Sequence, residues 1–229
     1  MTKLTFTVIL ALAAPLSAGP TDDLLMGSVV KSDKWTMDRT NDREIFEGAV
    51  SFRNAAYNLK ADHAVYDRKM RAWNIRGSVY CLRKFVDGSN IELYCDSGTY
   101  RENFEQAELF RGQELIRMKY LSPEGKVLNG SCDRINADNA KAAMDFLGNF
   151  YLATENMEIF STNGFYNDSE KSFLIYGSTP IAVGAREGRD FAMTGEKMKY
   201  FRDTGDVKLY NNVAGWVKAG TPVALQAAK

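Results

Sequence analysis

The heptapeptide Ala61-Asp62-His63-Ala64-Val65-Tyr66-Asp67 (ADHAVYD) is rewritten further along the chain as CDSGTYR at 95–101, CDRINAD at 132–138, STNGFYN at 161–167 and GEKMKYF at 195–201. Each version opens on or near a polar residue: Asp62, Asp96, Asp133, Thr162 and Glu196. A Tyr stands four positions later in every copy except the third, where Ala137 takes its place. A second landmark follows at a nearly fixed distance. Asp62 leads to Gly77, Asp96 to Gly112, Asp133 to Gly148, Thr162 to Gly177 and Glu196 to Asn211, spacings of 15, 16, 15, 15 and 15, with Gly48 beginning the series. Two residues before these landmarks stand Phe46, Ile75, Phe110, Phe146, Ile175 and Leu209, all large and apolar. Such a register is an internal repeat of 29 to 37 residues.

The local texture is β. Apolar and polar residues alternate through Trp73–Cys81 and Met144–Phe150, the period of a half-buried strand. Turn signals divide these runs at Asp87-Gly88, Pro123-Glu124-Gly125, Asn167-Asp168, Gly184 to Gly188 and Asp203-Thr204-Gly205. Each repeat therefore holds two strands, and short turns between them require antiparallel pairing. The stretch 137–147 is open to a helical reading, but its landmarks keep the strand register. A glycine in mid-strand permits a bend or bulge, and Gly98 and Gly164 suggest a second bend in the following strand. Strands bent at their middles contribute to two facing sheets. The expected fold is all-β: a folded-over antiparallel sheet, open at both ends, with an apolar slot inside.

Composition agrees with a folded chain outside the membrane: 45% hydrophobic and 25% charged, with 29 basic residues against 29 acidic. Zero net charge and the lack of a basic patch argue against nucleic acid as a partner. The N-terminus reads as a cleaved signal peptide over residues 1–18, with Lys3 followed by an apolar run from Leu4; Leu4 to Ala18 is 15 residues, short of the ~20 that span a bilayer. The mature domain is expected over 19–217, outside the cytoplasm, with a disordered tail over 218–229. Three cysteines, Cys81, Cys95 and Cys132, match no zinc spacing. They are equally consistent with buried small side chains and with one disulfide, for which Cys81 and Cys95 are the candidates, across the Asp87-Gly88-Ser89 loop. Catalytic constellations are absent from the sequence: His63 is the single histidine and sits inside the repeated phrase. No cofactor, metal or enzymatic activity is expected.

The frame Gly48-Ala49-Val50, Leu59-Lys60-Ala61-Asp62-His63-Ala64-Val65-Tyr66-Asp67, Gly77-Ser78-Val79 resembles the OstA-like (LptA-like) family of periplasmic lipopolysaccharide-transport proteins. The likeness is closest over 44–81 and 90–112 and stays in register to about 217. It implies an antiparallel β-jellyroll whose hydrophobic groove shields lipopolysaccharide acyl chains between inner and outer membranes. Its implied partners are lipopolysaccharide and other OstA-like components at both membranes, together with end-to-end copies of the chain. Glu108 and Glu114 depart from the pattern by standing where inward apolar residues belong, and Gly130 and Ala137 depart by being small.

The residues expected to line the groove are Phe46, Val50, Leu59, Trp73, Ile75, Val79, Leu93, Phe110, Met144, Phe146, Phe150, Ile159, Phe173, Ile175 and Leu209. Shielding an acyl chain is worth roughly 0.8 kcal/mol per CH₂, so such a slot needs neither charge nor metal. The open edges, expected near Met26–Lys34 and Val207–Val217, suit strand addition by a partner. The rival class is a structural or adhesive β-repeat with a closed core. A carbohydrate-active β-solenoid would need a carboxylate cluster that the sequence lacks.

Overall fold

A computed structural model describes residues 29–219. The expected signal segment 1–18 and most of the expected tail lie outside the described residues. Among the described residues, apart from one 3₁₀ turn, Glu102–Phe104, the regular structure is entirely β. In chain order the strands are β1 (Val29–Lys31), β2 (Lys34–Asp38), β3 (Arg43–Arg53), β4 (Tyr57–Asp67), β5 (Ala72–Lys84), β6 (Asn90–Arg101), β7 (Gln106–Phe110), β8 (Ile116–Leu121) and β9 (Val127–Cys132). They continue as β10 (Arg134–Asp138), β11 (Ala143–Ala153), β12 (Met157–Asn167), β13 (Ser172–Tyr176), β14 (Ile181–Arg186), β15 (Arg189–Thr194), β16 (Lys197–Phe201), β17 (Val207–Tyr210) and β18 (Ala214–Ala219). All pairings are antiparallel.

The pairings resolve into two layers. The first runs β2-β3-β4-β5-β6-β7-β10-β11-β12-β13-β16-β17. The second runs β1-β3-β4-β5-β6-β8-β9-β11-β12-β14-β15-β18. The long strands β3, β4, β5, β6, β11 and β12 belong to both, half in each. Their apolar faces meet: the Phe46 ring in the first layer lies 5.5 Å from Phe52 in the second, and Phe52 lies 5.1 Å edge-on to Trp73. This is a β-jellyroll, the folded-over antiparallel sheet that the alternation requires.

Every landmark of the repeat falls on the crease between the layers. At Gly48-Ala49, Gly77-Ser78 and Gly148-Asn149 two successive residues take positive φ, and the pairing register skips there as at a bulge. The Asp of the returning strand is laid against that bulge. A Cβ on Gly48, Gly77 or Gly148 would stand 2.2, 2.3 or 2.2 Å from a carboxylate oxygen of Asp33, Asp62 or Asp133. The Asp33 and Asp133 amides donate to the Gly48 and Gly148 carbonyls, each at 2.9 Å. Asn211 and Asn212 fill the same left-handed positions in the last rung, with both side-chain amides donating to Glu196. Asp33 is thus a further copy of the phrase, with the same spacing of 15 to Gly48.

Several local expectations are corrected. Gly98 and Gly164 are straight-strand positions, not bends: their missing side chains make room for Leu109 Cδ2 and for the Phe150 ring, each 2.7 Å from where a Cβ would be. The stretch 137–147 is β10, a turn and β11. In the third repeat a loop over 111–115 replaces the compact bulge, so the inward residue of β7 is Leu109. Phe110 lies half-buried on the outer face, its ring under the Arg134 guanidinium at 5.4 Å. Glu108 is likewise outward, 3.3 Å from Arg134, and Glu114 is exposed in the loop. At the C-terminus Lys218 and Ala219 pair with Asp190 and Arg189, so β18 continues beyond residue 217 and the expected tail begins later.

Candidate functional site

The interior between the layers is one continuous apolar cluster. Of the sequence-derived lining, Phe46, Val50, Leu59, Trp73, Ile75, Val79, Leu93, Met144, Phe146, Phe150, Ile159, Phe173 and Ile175 are all buried within it. Leu209 packs on its margin, and Phe110 stands outside. Aromatic rings concentrate toward the two ends. Phe46, Phe52, Tyr66 and Trp73 interlock at one, and Phe146, Phe150, Tyr166, Phe173 and Tyr200 at the other. The middle is aliphatic, with Leu93, Leu109, Ile116, Leu128 and Ile135. The rings fill space densely, so the interior is a packed core and a chain placed there must part side chains.

Opposite the crease the layers end in two rows of turns, which form a lateral mouth. The repeated Tyr lies here: it stands four strand positions beyond the crease Asp, about 13 Å of chain. Pairing sets a transverse row along the first layer: Glu44, Tyr66, Trp73, Tyr100, Ala107, Ala137, Met144, Tyr166, Phe173, Tyr200 and Val207. The polar atoms of Glu44, Tyr66, Trp73 and Tyr166 are tied to the turns. Glu102 accepts from Tyr66 Oη at 3.1 Å and Trp73 Nε1 at 3.2 Å, and pairs with Arg71 at 3.3 Å. Tyr166 Oη donates to Asp168 at 3.0 Å and accepts from Arg202 at 2.9 Å. Buried Glu44 is paired with Arg68. Burial pushes the phenols of Tyr100, Tyr166 and Tyr200 upward, so they stay neutral donors at neutral pH.

The mouth opens into a cavity of about 670 Å³ between the turns of the second layer and those of the first. Its rim carries Asp87, Lys126, Lys171, Arg202 and Asp203, while Leu128, Met157 and Tyr200 form its floor. Those floor residues belong to the buried cluster, so the cavity reaches the apolar interior from the side. Sequence reasoning identified the inward rows and missed this mouth, because its rim comes from turns without a periodic pattern. The one available signal was the recurring Tyr itself, an inward residue that carries a polar tip.

No disulfide joins Cys81, Cys95 and Cys132. Cys95 pairs with Val79 and Cys81 with Leu93, which places the two cysteines on adjacent strands one diagonal apart. Burial pushes the Cys95 and Cys132 thiols up to about 12. His63 lies on the outer face between Glu47 and Arg76, its pKa lowered by burial and by the Arg76 charge. Among the described residues no group of three or more His, Cys, Asp or Glu is placed to hold a metal ion.

No family model and no curated protein matches the chain. Among solved structures it is similar to LptH of Pseudomonas aeruginosa, described as the LptA-homologous periplasmic component of the conserved lipopolysaccharide transport device. The identity is 9%, over 83% of this chain and 94% of that one, with a TM-score of 0.22. At that score the likeness adds nothing to the fold described above. No helix among the described residues is long and apolar enough to cross a membrane.

Proposed function

We propose that the chain is a periplasmic, non-enzymatic lipid carrier that shields the acyl chains of lipopolysaccharide between its two layers during export from inner to outer membrane. The observation that carries the reading is the lateral mouth: a solvent-open cavity with a charged rim and a floor of Leu128, Met157 and Tyr200. An amphiphile needs that arrangement, with a polar head in water and an apolar tail passed sideways into a core. A ~12-carbon chain gains on the order of 10 kcal/mol from leaving water, which works against the cost of parting packed side chains. The resemblance of the repeated phrase to the OstA-like family supports lipopolysaccharide as cargo and OstA-like components as partners. The terminal strands support end-to-end assembly. Trp35 and Val29 at one end and Trp216 and Val217 at the other are exposed apolar residues on edge strands.

A structural or adhesive repeat is the second reading, favoured by the complete burial of Trp73, Phe52 and Phe150. Photo-crosslinking separates the two. A probe at Phe146 faces the interior and one at neighbouring Leu147 faces out. In a cell that makes lipopolysaccharide, the carrier gives lipid adducts from 146 and not from 147. A folded, exported chain with adducts from neither is the structural repeat.

A further inference from the structure

The lateral mouth is bridged from one layer to the other at Arg202. This residue follows the inward Met198 and Tyr200 of β16 by one more two-residue step, just past the strand end. Its side chain is therefore carried into the gap and is only 13% exposed. Its own layer holds it firmly. The Arg202 amide donates to the Lys171 carbonyl at 2.8 Å, Nε pairs with Asp203 at 2.9 Å, and Nη1 donates to Tyr166 Oη at 2.9 Å. Tyr166 is itself fixed by Asp168, which is 2% exposed and paired with Lys171 at 2.8 Å. From this mount the guanidinium reaches the facing layer, where its Cζ lies 4.9 Å over the centre of the Tyr120 ring.

Tyr120 marks a particular place in the second layer. It is the last inward residue of β8 after Ile116 and Met118, and pairing sets it between Ile91 and Leu128. These neighbours belong to the aliphatic middle of the interior, between the interlocked rings of the two ends. Met118 in particular is an adaptable side chain. The most deformable route for an acyl tail thus begins beneath Tyr120. Tyr120, Leu128, Tyr200 and Arg202 all line the cavity of the mouth, so the stacked pair spans the opening to that route.

We infer that Arg202 and Tyr120 form a latch across the lateral mouth, which parts to let an acyl tail pass and closes again behind it. This rests on the carrier reading above. The stack is made both before entry and after it, so it contributes equally to the empty and loaded states and cancels from the affinity. It is lost while the tail passes, and there it slows loading and release alike. One partly desolvated cation–π contact is enough for a factor of about ten.

The test uses the full mature chain and NBD-labelled lysophosphatidylcholine, a single-tailed lipid whose head has no net charge. Stopped-flow fluorescence gives the rates of loading and release, and equilibrium titration gives Kd. Arg202→Met should speed both rates about tenfold and leave Kd within about twofold. Tyr120→Leu should do the same, whereas Tyr120→Phe, which keeps the aromatic face, should restore the slow exchange. The two Tyr120 variants keep the test decisive if Arg202→Met fails to fold. A contact that serves stability alone would lower the melting temperature and leave both rates in place, which would overturn the latch. A change in Kd carried by release alone would mean that Arg202 holds the lipid head, and would overturn it as well. The carrier stands in either case. If no form of the chain takes up the lipid, both proposals fall.

Discussion

Asp62 and Gly77 meet at the crease, where a methyl group on Gly77 would lie 2.3 Å from Asp62 Oδ2. Gly77 also has φ of 79°, and Ser78 after it has 47°. Two constraints thus fall on one residue, backbone conformation and space. Gly77→Ala should cost more than about 2 kcal/mol, while Gly88→Ala, also at positive φ but with open space around it, should cost about 1 kcal/mol. Adding Asp62→Ala to Gly77→Ala should recover only the carboxylate's share of the clash, because the Cβ at 62 itself lies 2.7 Å from the added methyl, and none of the conformational part. Urea denaturation of the four proteins gives the answer, and equal losses at 77 and 88 would remove the crease from the account.

The register of β7 can be tested by mutation. Leu109 is buried against the opposite layer, so Leu109→Ala should cost about 2–5 kcal/mol. Phe110 is half-buried on the outer face beneath Arg134, so Phe110→Ala should cost about 1 kcal/mol despite removing the larger side chain. Chemical denaturation decides, and a greater loss at 110 would reverse the assignment.

Alkaline stability follows from the thiols. Burial raises Cys95 and Cys132 to about 12 in the folded chain, against about 8.5 when unfolded. Above the unfolded value the unfolded chain binds fewer protons, so the contribution is full below about pH 8.5 and is lost as pH rises toward 12. The buried phenols of Tyr100 and Tyr166 are raised as well and add to the same fall. Urea midpoints should decline between pH 9 and 11, and Cys95→Ala with Cys132→Ala should make that decline shallower. At pH 8 a maleimide should label both cysteines far more slowly than an unfolded control. Rapid labelling of the folded chain would place the thiols at the surface.

End-to-end assembly makes a separate prediction. Trp216 is 51% exposed on β18, the last strand of the second layer, and Trp35 is 60% exposed on β2, the first strand of the first. Trp216→Lys should abolish concentration-dependent self-association in sedimentation velocity and leave the melting temperature of the single chain within about 2 °C. A native protein that sediments as a monomer at every concentration would rule out this assembly.

The alternation along each strand and the fixed step from Asp to Gly determine what is local: all-β structure, antiparallel order, a bend in every rung, and the inward face of the regular strands. These are written in the sequence because the two-residue period and the left-handed bulge are properties of a few consecutive residues. Two things were decided by tertiary structure. In the third repeat the loop over 111–115 replaces the bulge and lengthens the step to 16, so Leu109 faces inward rather than Phe110. The lateral mouth, where Tyr120, Leu128 and Met157 of the second layer meet Tyr200 and Arg202 of the first, is likewise unreadable along the chain, because periodicity states which way a side chain points within its own layer. What it meets across the gap depends on how sharply every rung folds and how the two layers stack.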